Sequence, residues 1–519
     1  MVGTFWAFVP ALVAILLALI TKQVYVSLFF GILVGGLFYA GGNPLEAIGV
    51  IYQAMSQKAG SNIPIIAFLV ILGILVVLMQ KSGGSHAYGR WAAGKIRSEK
   101  GALASTAALG CVIFVDDYFN CLTVGSVMRP LTDKYRISRA KLAWIIDSTA
   151  APVCIIAPIS SWAAAVSGEL QGNSLSVFIS TIPFNVYAIL TLIMVFTFCY
   201  MKLDFGKMKQ HESIAKRTGD LNAGATDLPA EEEVSFSPKA NAKVQYLLIP
   251  VIVLIVCCVL SMIYVGFYFN WDTETFGSEL QAANVIEAFS SCDAGLSLSI
   301  GSTVALILIS IYYLSMRALS FKEITESFTQ GFKTMVPAIL ILTFAWTLSG
   351  IMGAKGGYLD AQAFVSSSLA GIDLAWLFPA VFFLLACGIA FSTGTSWGTF
   401  GVLIPIATTI LGTQVDTVTL LTISATLGGA VFGDHISPIS DTTILASAGA
   451  NCNHVNHVNT QLPYAGLIAV ITFFSYLVAG LTTSLGSLLC GLILWAVAIA
   501  LFIGAILVIK LLERKKVNG

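Results

Sequence analysis

Charge is what this chain has least of. Only 10% of its 519 residues are Asp, Glu, Lys or Arg, whereas a soluble domain carries about 25%. That scarcity excludes a soluble globular chain, and with 27 basic and 27 acidic side chains no excess of positive charge marks a nucleic-acid partner. The ten cysteines have no CxxC spacing, and most lie in apolar runs (Cys111, Cys199, Cys257, Cys258, Cys387), so neither a disulfide framework nor a metal cluster is implied. P-loop, nucleophile-elbow and zinc-protease motifs are missing too, so neither an enzyme nor a resident cofactor is expected. The opening MVGTFWAFVP has no basic segment of the secretory type and reads as a retained span.

What the chain has is apolar sequence, 57% of its residues. A helix needs about 20 residues to cross a bilayer. Runs of that kind lie at 5–20, 24–41, 63–80, 176–201, 244–268, 294–316, 334–352, 463–484 and 486–511, and two longer ones, 139–168 and 417–450, are interrupted by Pro158 and Pro438. Regions 101–134 and 370–412 behave differently. Each divides into arms of about 15 residues, roughly 22 Å of helix, too short for a hydrocarbon core of about 30 Å. Their midpoints are polar or glycine-rich, DDYFN (Asp116 to Asn120) and STGTSWG (Ser392 to Gly398). They read as re-entrant hairpins.

Eleven spans with returning hairpins put the segments around Lys22, 81–100, 134–141, 202–243, 317–333 and 510–516 on one face. Those segments hold every Lys and Arg except Lys58, Lys355 and Arg129. The positive-inside rule makes that face cytoplasmic, with the N-terminus outside and the C-terminus inside the plasma membrane. The halves also repeat. Pro64, Met79, Gly83 and Gly84 recur at identical spacing as Pro337, Met352, Gly356 and Gly357, and IAPISS (Ile156 to Ser161) recurs as ISPISD (Ile436 to Asp441). The expected architecture is an all-α polytopic membrane protein of two inverted repeats, each with five spans and a hairpin. Residues 1–201 form the first repeat, 202–243 a polar cytoplasmic linker, 244–484 the second repeat, and 485–519 an extra span with a basic tail.

A broken helix at membrane depth frees carbonyls that suit a cation and N–H groups that suit an anion. Ser160 and Ser161 flank the first break; Ser437, Ser440, Asp441 and Thr442 flank the second, and Thr393, Thr395 and Ser396 sit on the second hairpin tip. Asp116, Asp117, Asp147, Asp434 and Asp441 are the carboxylates at hydrocarbon depth, where a charge is costly unless paired, neutralised or bound to a cation. Arg129 and His435 are the few basic partners within reach, so Asp117 with Arg129 and Asp434 with His435 are the competing ion pairs. Asp147, nearer the cytoplasmic end, could instead face a vestibule. The ion or substrate site is therefore placed on Asp116, Asp117, Asn120, Ser160, Ser161, Thr393, Thr395, Ser396, Asp434, Ser437, Ser440, Asp441 and Thr442. Na⁺ ligands are sought among Asp117, Asn120, Ser161, Ser440, Asp441 and Thr442, since a hard cation prefers oxygen. Trp162 reads equally as packing or pocket wall, and the alternative for the second tip is a tight turn with Trp397 packed on a neighbour. His454 and His457, in NCNHVNHVNT, are assigned to a solvated cytoplasmic loop.

GTSWGTFGVLIPIA (394–407) followed by GDHISPISDTT (433–443), with the DDYFN hairpin and DSTAAPVCIIAPISSW (147–162), resembles the NhaC-type Na⁺/H⁺ antiporters of the wider ion-transporter superfamily. The resemblance spans essentially the whole chain. It implies a homodimer in which a scaffold (spans such as 5–41 and 244–316) supports a transport domain of hairpins and broken helices that moves elevator-fashion. It also implies Na⁺ and H⁺ as coupling ions. PISSW stands where typical antiporters carry an Asn-containing stretch, which leaves open a Na⁺- or H⁺-coupled carrier of an amino acid or small carboxylate through the same site.

Overall fold

The computed structural model describes all residues except 22, 171–173, 226–241, 271–274, 278–279, 353–357, 362, 365–373, 412–414 and 519. The middle of the expected linker, the start of the second hairpin region (370–373), and the matches at Gly356 and Gly357 lie outside the described residues. The described chain is almost wholly helical, with one two-residue antiparallel pairing, Phe269–Asn270 with Thr275–Phe276.

Among the described residues nine helices are long and apolar enough to cross a membrane, or ten if Tyr25–Tyr39 and Pro44–Ser61, bent by 116°, make one span. Eleven were expected, and the difference has local causes. The first run divides into a 3-10 turn, Phe5–Phe8, and a 13-residue helix, Val9–Thr21. The 139–168 run falls into Arg139–Thr149, Ala151–Cys154 and Ser161–Glu169, each well short of a bilayer crossing. Conversely, Ala375–Thr393 spans 19 residues, so the leading arm of the second hairpin is longer than the expected 15 or so.

Short polar side chains punctuate the apolar runs by capping orphan N–H groups. Ser98 accepts from Gly101 N at 3.0 Å and opens Glu99–Val112. Asp116 accepts from Phe119 N at 2.9 Å and opens Asp117–Lys134. Together these helices are the first hairpin. Phe378–Thr393 and Ser396–Leu411 form the second, and Gly394 between them has φ +67°, the left-handed conformation a helix C-terminus favours. A Cβ on Gly394 would also overlap the Ile439 carbonyl, so only glycine fits there.

The lysine-rich segments gather at one end. Lys81 Nζ reaches Glu323 O at 3.3 Å and Glu326 at 3.9 Å. Glu99 pairs with Lys202 and with Lys216. The helix Gly206–Thr218 also holds the far end of the first hairpin, through Ser138 N to Glu212 Oε1 at 2.7 Å and Arg136 to Lys216 O at 3.4 Å. Both ends of that hairpin therefore sit against one helix. Gly3 N donates to Leu359 O at 2.9 Å, which places the N-terminus beyond the opposite end of Phe321–Met352, and Thr21, 13 residues along the short helix Val9–Thr21, lies beside Pro337 and Ala338 in the middle of Phe321–Met352.

Candidate functional site

Two interrupted helices bring the site together. In the first, the chain is irregular from Ile155 to Ser160; in the second, four residues separate the end of Thr417–Ile436 from the start of Asp441–Ala450. Each second segment is capped by the same residue of the repeated motif. Ser160 Oγ accepts from Ala163 N at 3.0 Å, and Ser440 Oγ from Thr443 N at 3.1 Å. Next to each cap, the first helical N–H donates to a hairpin tip: Ser161 N to Val115 O at 2.9 Å, Asp441 N to Gly394 O at 3.4 Å. Each hairpin is thus tied by backbone to the break in its own half. Asn120 locks the first tip further, its amide nitrogen lying 2.7 Å from Gly110 O, 2.8 Å from Ile113 O and 3.1 Å from Thr149 O.

The halves are then tied to each other. Tyr118, on the first tip, donates to Asp441 Oδ2 at 2.5 Å. Trp162, just after the first break, packs on Trp397 and Phe400 of the second hairpin at ring separations of 5.9 and 5.2 Å, and its Nε1 donates to Asp117 Oδ2 at 3.0 Å. Trp162 thus serves as packing, while Trp397, expected as packing alone, also lines a cavity.

Thirteen candidate residues divide into two groups. Ser396, Ser437, Thr393 and Ser160 turn their hydroxyl hydrogens to backbone carbonyls of Ala430, Phe391, Ile389 and Cys154. Together with Thr395, which accepts from Gly398 N at 3.4 Å, they brace the breaks and tips. The others present oxygen with few donors. Asp116 Oδ2, Asn120 Oδ1, Ser161 Oγ and Asp434 Oδ1 are buried without a hydrogen-bond partner. Asp434 Oδ2 accepts from Thr442 Oγ1 at 2.5 Å, and Ser440 Oγ lies 3.2 Å from Thr442 Oγ1. Asp117 accepts from Trp162 Nε1 and Tyr118 N, Asp441 accepts from Tyr118 Oη and Thr442 N, and His435 bonds Tyr187 at 3.0 Å rather than pairing with Asp434. A buried cluster of carboxylates and unsatisfied oxygens suits a hard cation or a proton.

A cavity of about 480 Å³ reaches this cluster. Thr21, Gln23 and Tyr25 line one side of it with Pro337 and Ile341, and Tyr118, Gly394, Trp397 and Asp441 line the other.

Several participants were not foreseen. Tyr118 lies inside DDYFN yet escaped selection, as a tyrosine in an apolar hairpin has packing as its ordinary role. The larger correction concerns His454 and His457. They do not lie in a solvated loop: Asn453 accepts from Asn456 N at 2.9 Å and starts a helix, His454–Gly480, that buries His457 completely. Asp147 does not open to a vestibule either. It is fully buried, and its Oδ2 takes Gln461 Nε2 at 2.6 Å and Thr443 Oγ1 at 3.2 Å, with His457 Nε2 3.8 Å away. No local pattern identifies this partnership, whose members are about 300 residues apart.

The model of the Na⁺/H⁺ antiporter family matches residues 163–481. This chain belongs to that family. The result agrees with the resemblance read from the motifs at 394–407 and 433–443, which fall inside the matched region. An uncharacterised protein of Haemophilus influenzae is 37% identical over 495 residues, 92% of this chain and 91% of that one. The malate-2H⁺/Na⁺-lactate antiporter of Bacillus subtilis is 33% identical over 165 residues, covering 31% of this chain and 33% of its own length. The arginine/ornithine antiporter ArcD of Halobacterium salinarum is 38% identical over 117 residues, 22% of this chain and 24% of its own. Family, relatives and membrane-spanning helices agree on a multi-pass secondary transporter of the antiporter type.

Proposed function

We propose that this antiporter exchanges Na⁺ for H⁺, with Asp441 and Asp117 binding either ion in turn. Ser161, Asn120, Ser440 and Thr442 supply neutral oxygens, and Asp116 and Asp434 set the negative potential. The observation that carries this reading is the excess of buried oxygen acceptors over donors where the two breaks and two tips meet. A desolvated cation requires such a place, and a proton on the same carboxylates satisfies it when the cation leaves. Because the breaks and tips are hydrogen-bonded into one block, the block travels as a unit against the scaffold helices. The cavity beside Asp441 and Tyr118 then is the access path to the ion. A homodimer in the plasma membrane, N-terminus outside, completes the proposal.

A second reading rests on the cavity itself. Its 480 Å³ far exceeds a sodium ion and falls in the range of small-molecule sites, about 300–1,000 Å³. A carboxylate-bearing amino or organic acid could fill it, with Na⁺ or H⁺ held at Asp441. Proteoliposomes decide between the two. An outward-in Na⁺ pulse should raise lumenal pH if the exchange is Na⁺ for H⁺. An unchanged pH together with exchange of labelled amino or organic acids selects the second reading.

A further inference from the structure

The buried residues that the cation site leaves unused form a continuous line from the surface to Asp147. His454, half-buried at the start of its helix, has Nε2 2.8 Å from Pro438 O and Nδ1 3.1 Å from Ser447 Oγ. Ser447 Oγ is also 2.9 Å from His457 Nδ1. His457 Nε2 lies 2.9 Å from Gln461 Oε1 and 3.8 Å from Asp147 Oδ2. Gln461 cannot be turned the other way, because its nitrogen donates to Asp147 Oδ2 and to His435 O, at 2.6 and 2.7 Å.

Counting hydrogens settles what this line holds. Both Nε2 atoms face carbonyl-type oxygens, so both must be donors. The two Nδ1 atoms then meet a single hydroxyl, which has one hydrogen to give. If that hydrogen goes to His457, His454 must donate from Nδ1 and is an imidazolium. If it goes to His454, His457 is the imidazolium. If Ser447 turns to Thr443 O, at 2.8 Å, both rings need a proton on Nδ1. In every arrangement that satisfies the line, the pair carries at least one proton beyond its neutral complement.

We infer that His454, Ser447 and His457 form a proton relay that loads Asp147, separate from the cavity that admits the cation. The inference rests on the proposed Na⁺/H⁺ exchange for its transport consequence only. In the step, His454 gives its Nδ1 proton to Ser447 Oγ as the hydroxyl hydrogen passes to His457 Nδ1. His457 then turns its Nε2–H away from Gln461 Oε1 toward an ionised Asp147, whose Oδ2 is 3.8 Å off, and gives it that proton. The products are neutral His454, the Nδ1–H tautomer of His457 and protonated Asp147, so charge and protons balance. Thr443 bridges Asp147 Oδ2 and the Asp434 carbonyl, each at 3.2 Å, and so couples the relay to the second break. Other titratable groups facing the line are few: His435, held by Tyr187 at 3.0 Å, Asp434, Cys121 beside Asp147, and Arg139, which donates to Ala450 O at 2.7 Å.

The test compares wild type and Ser447→Ala as full-length protein in proteoliposomes. Na⁺/H⁺ exchange is followed by lumenal pH, and exchange of labelled Na⁺ for unlabelled Na⁺, which requires no proton, by tracer flux. The relay requires Ser447→Ala to slow the first at least about ten-fold while the second stays within about two-fold. Equal loss in both, or no loss in either, overturns it. Titration of isotope-labelled histidines by NMR, assigned with His454→Gln and His457→Gln, gives a readout that does not depend on the cargo. Wild type should show the two rings titrating as a coupled pair, and Ser447→Ala should uncouple them. Independent titration in wild type overturns the relay and leaves Na⁺/H⁺ exchange standing. A wild type with no Na⁺-driven pH change overturns the exchange, and the histidine titration still decides the relay.

Discussion

Tyr118 and Asp441, 323 residues apart, are joined by a 2.5 Å hydrogen bond from the phenol to the carboxylate. This bond fastens the first hairpin tip to the second break. Its counterpart on the other diagonal is aromatic, Trp162 of the first break against Trp397 and Phe400 of the second hairpin. One diagonal therefore ends directly on a carboxylate, Asp441, while the other reaches one, Asp117, only through Trp162 Nε1.

Tyr118→Phe removes the donor that stabilises ionised Asp441. A hydrogen bond to a charged acceptor is worth about 1.5–3 kcal/mol. Protons should then compete better with Na⁺ for the carboxylate, raising the KM for Na⁺ by roughly ten-fold at acidic pH and by less at alkaline pH. Initial Na⁺ uptake rates across a pH series measure this. A KM that is unchanged at every pH would detach Tyr118 from cation binding.

Asp441→Asn should abolish ion-coupled transport while leaving the protein in the membrane, and Asp117→Asn should do the same. The amide keeps the volume but can neither balance a cation nor release a proton. Tracer Na⁺ flux and quantitative blotting of the membrane fraction report the two halves of the expectation. Retained Na⁺ dependence in Asp441→Asn removes that residue from the site.

The breaks were legible because proline and serine inside an apolar run contradict the run, and Ser160, Ser440 and Asp441 fall at equivalent places in the two motifs. The carboxylates were legible because a buried charge is expensive wherever it lies. His457, Gln461 and Asp147 were not, for a physical reason. A polar stretch such as NCNHVNHVNT is normally solvated, and only long-range partners can make burial of its histidine favourable. Local sequence carries the cost of burying a group but not the identity of the group that offsets it. The same gap hid Tyr118, whose hydroxyl matters only because Asp441 lies opposite. The span count suffered differently, since hydropathy cannot distinguish one apolar helix from several short ones with breaks between them.

Close helix packing gives a further check. Gly125, on the trailing arm of the first hairpin, lies so near Gly449 that a Cβ would overlap the Gly449 backbone. Gly125→Ala should destabilise the protein by about 1–3 kcal/mol. Gly466→Ala, inside a helix with open space where the Cβ would go, should be neutral or stabilising by up to about 1 kcal/mol. Thermal unfolding in detergent compares them, and equal midpoints would contradict the Gly125–Gly449 contact.

The helix Gly206–Thr218 is held to Arg139–Thr149 and His454–Gly480 by a buried charge cluster, and the strength of that attachment can be measured. Lys141, 1% exposed, sets its Nζ 2.9 and 2.7 Å from the two oxygens of Asp204 and 3.9 Å from Glu212. Tyr464 donates to Asp204 at 3.3 Å and stacks on Phe205 at 4.4 Å, so the same cluster grips the helix His454–Gly480. Lys141→Met leaves Asp204 buried without its cation, while Glu212 keeps Lys216 at 3.7 Å, and should cost about 3–5 kcal/mol. Asp204→Leu alone strands Lys141 beside Glu212 and should cost less. The double variant Lys141→Met/Asp204→Leu should recover much of the loss, because no unpaired member of the pair remains, and Glu212 keeps its bond from Ser138 N. The cycle is read from unfolding midpoints of the four proteins under one buffer. Strict additivity would mean that the pair contributes nothing beyond its separate side chains. A favourable coupling would show that the linker helix is a fixed part of the block carrying the first break, so a tether introduced between this helix and a scaffold helix should arrest transport.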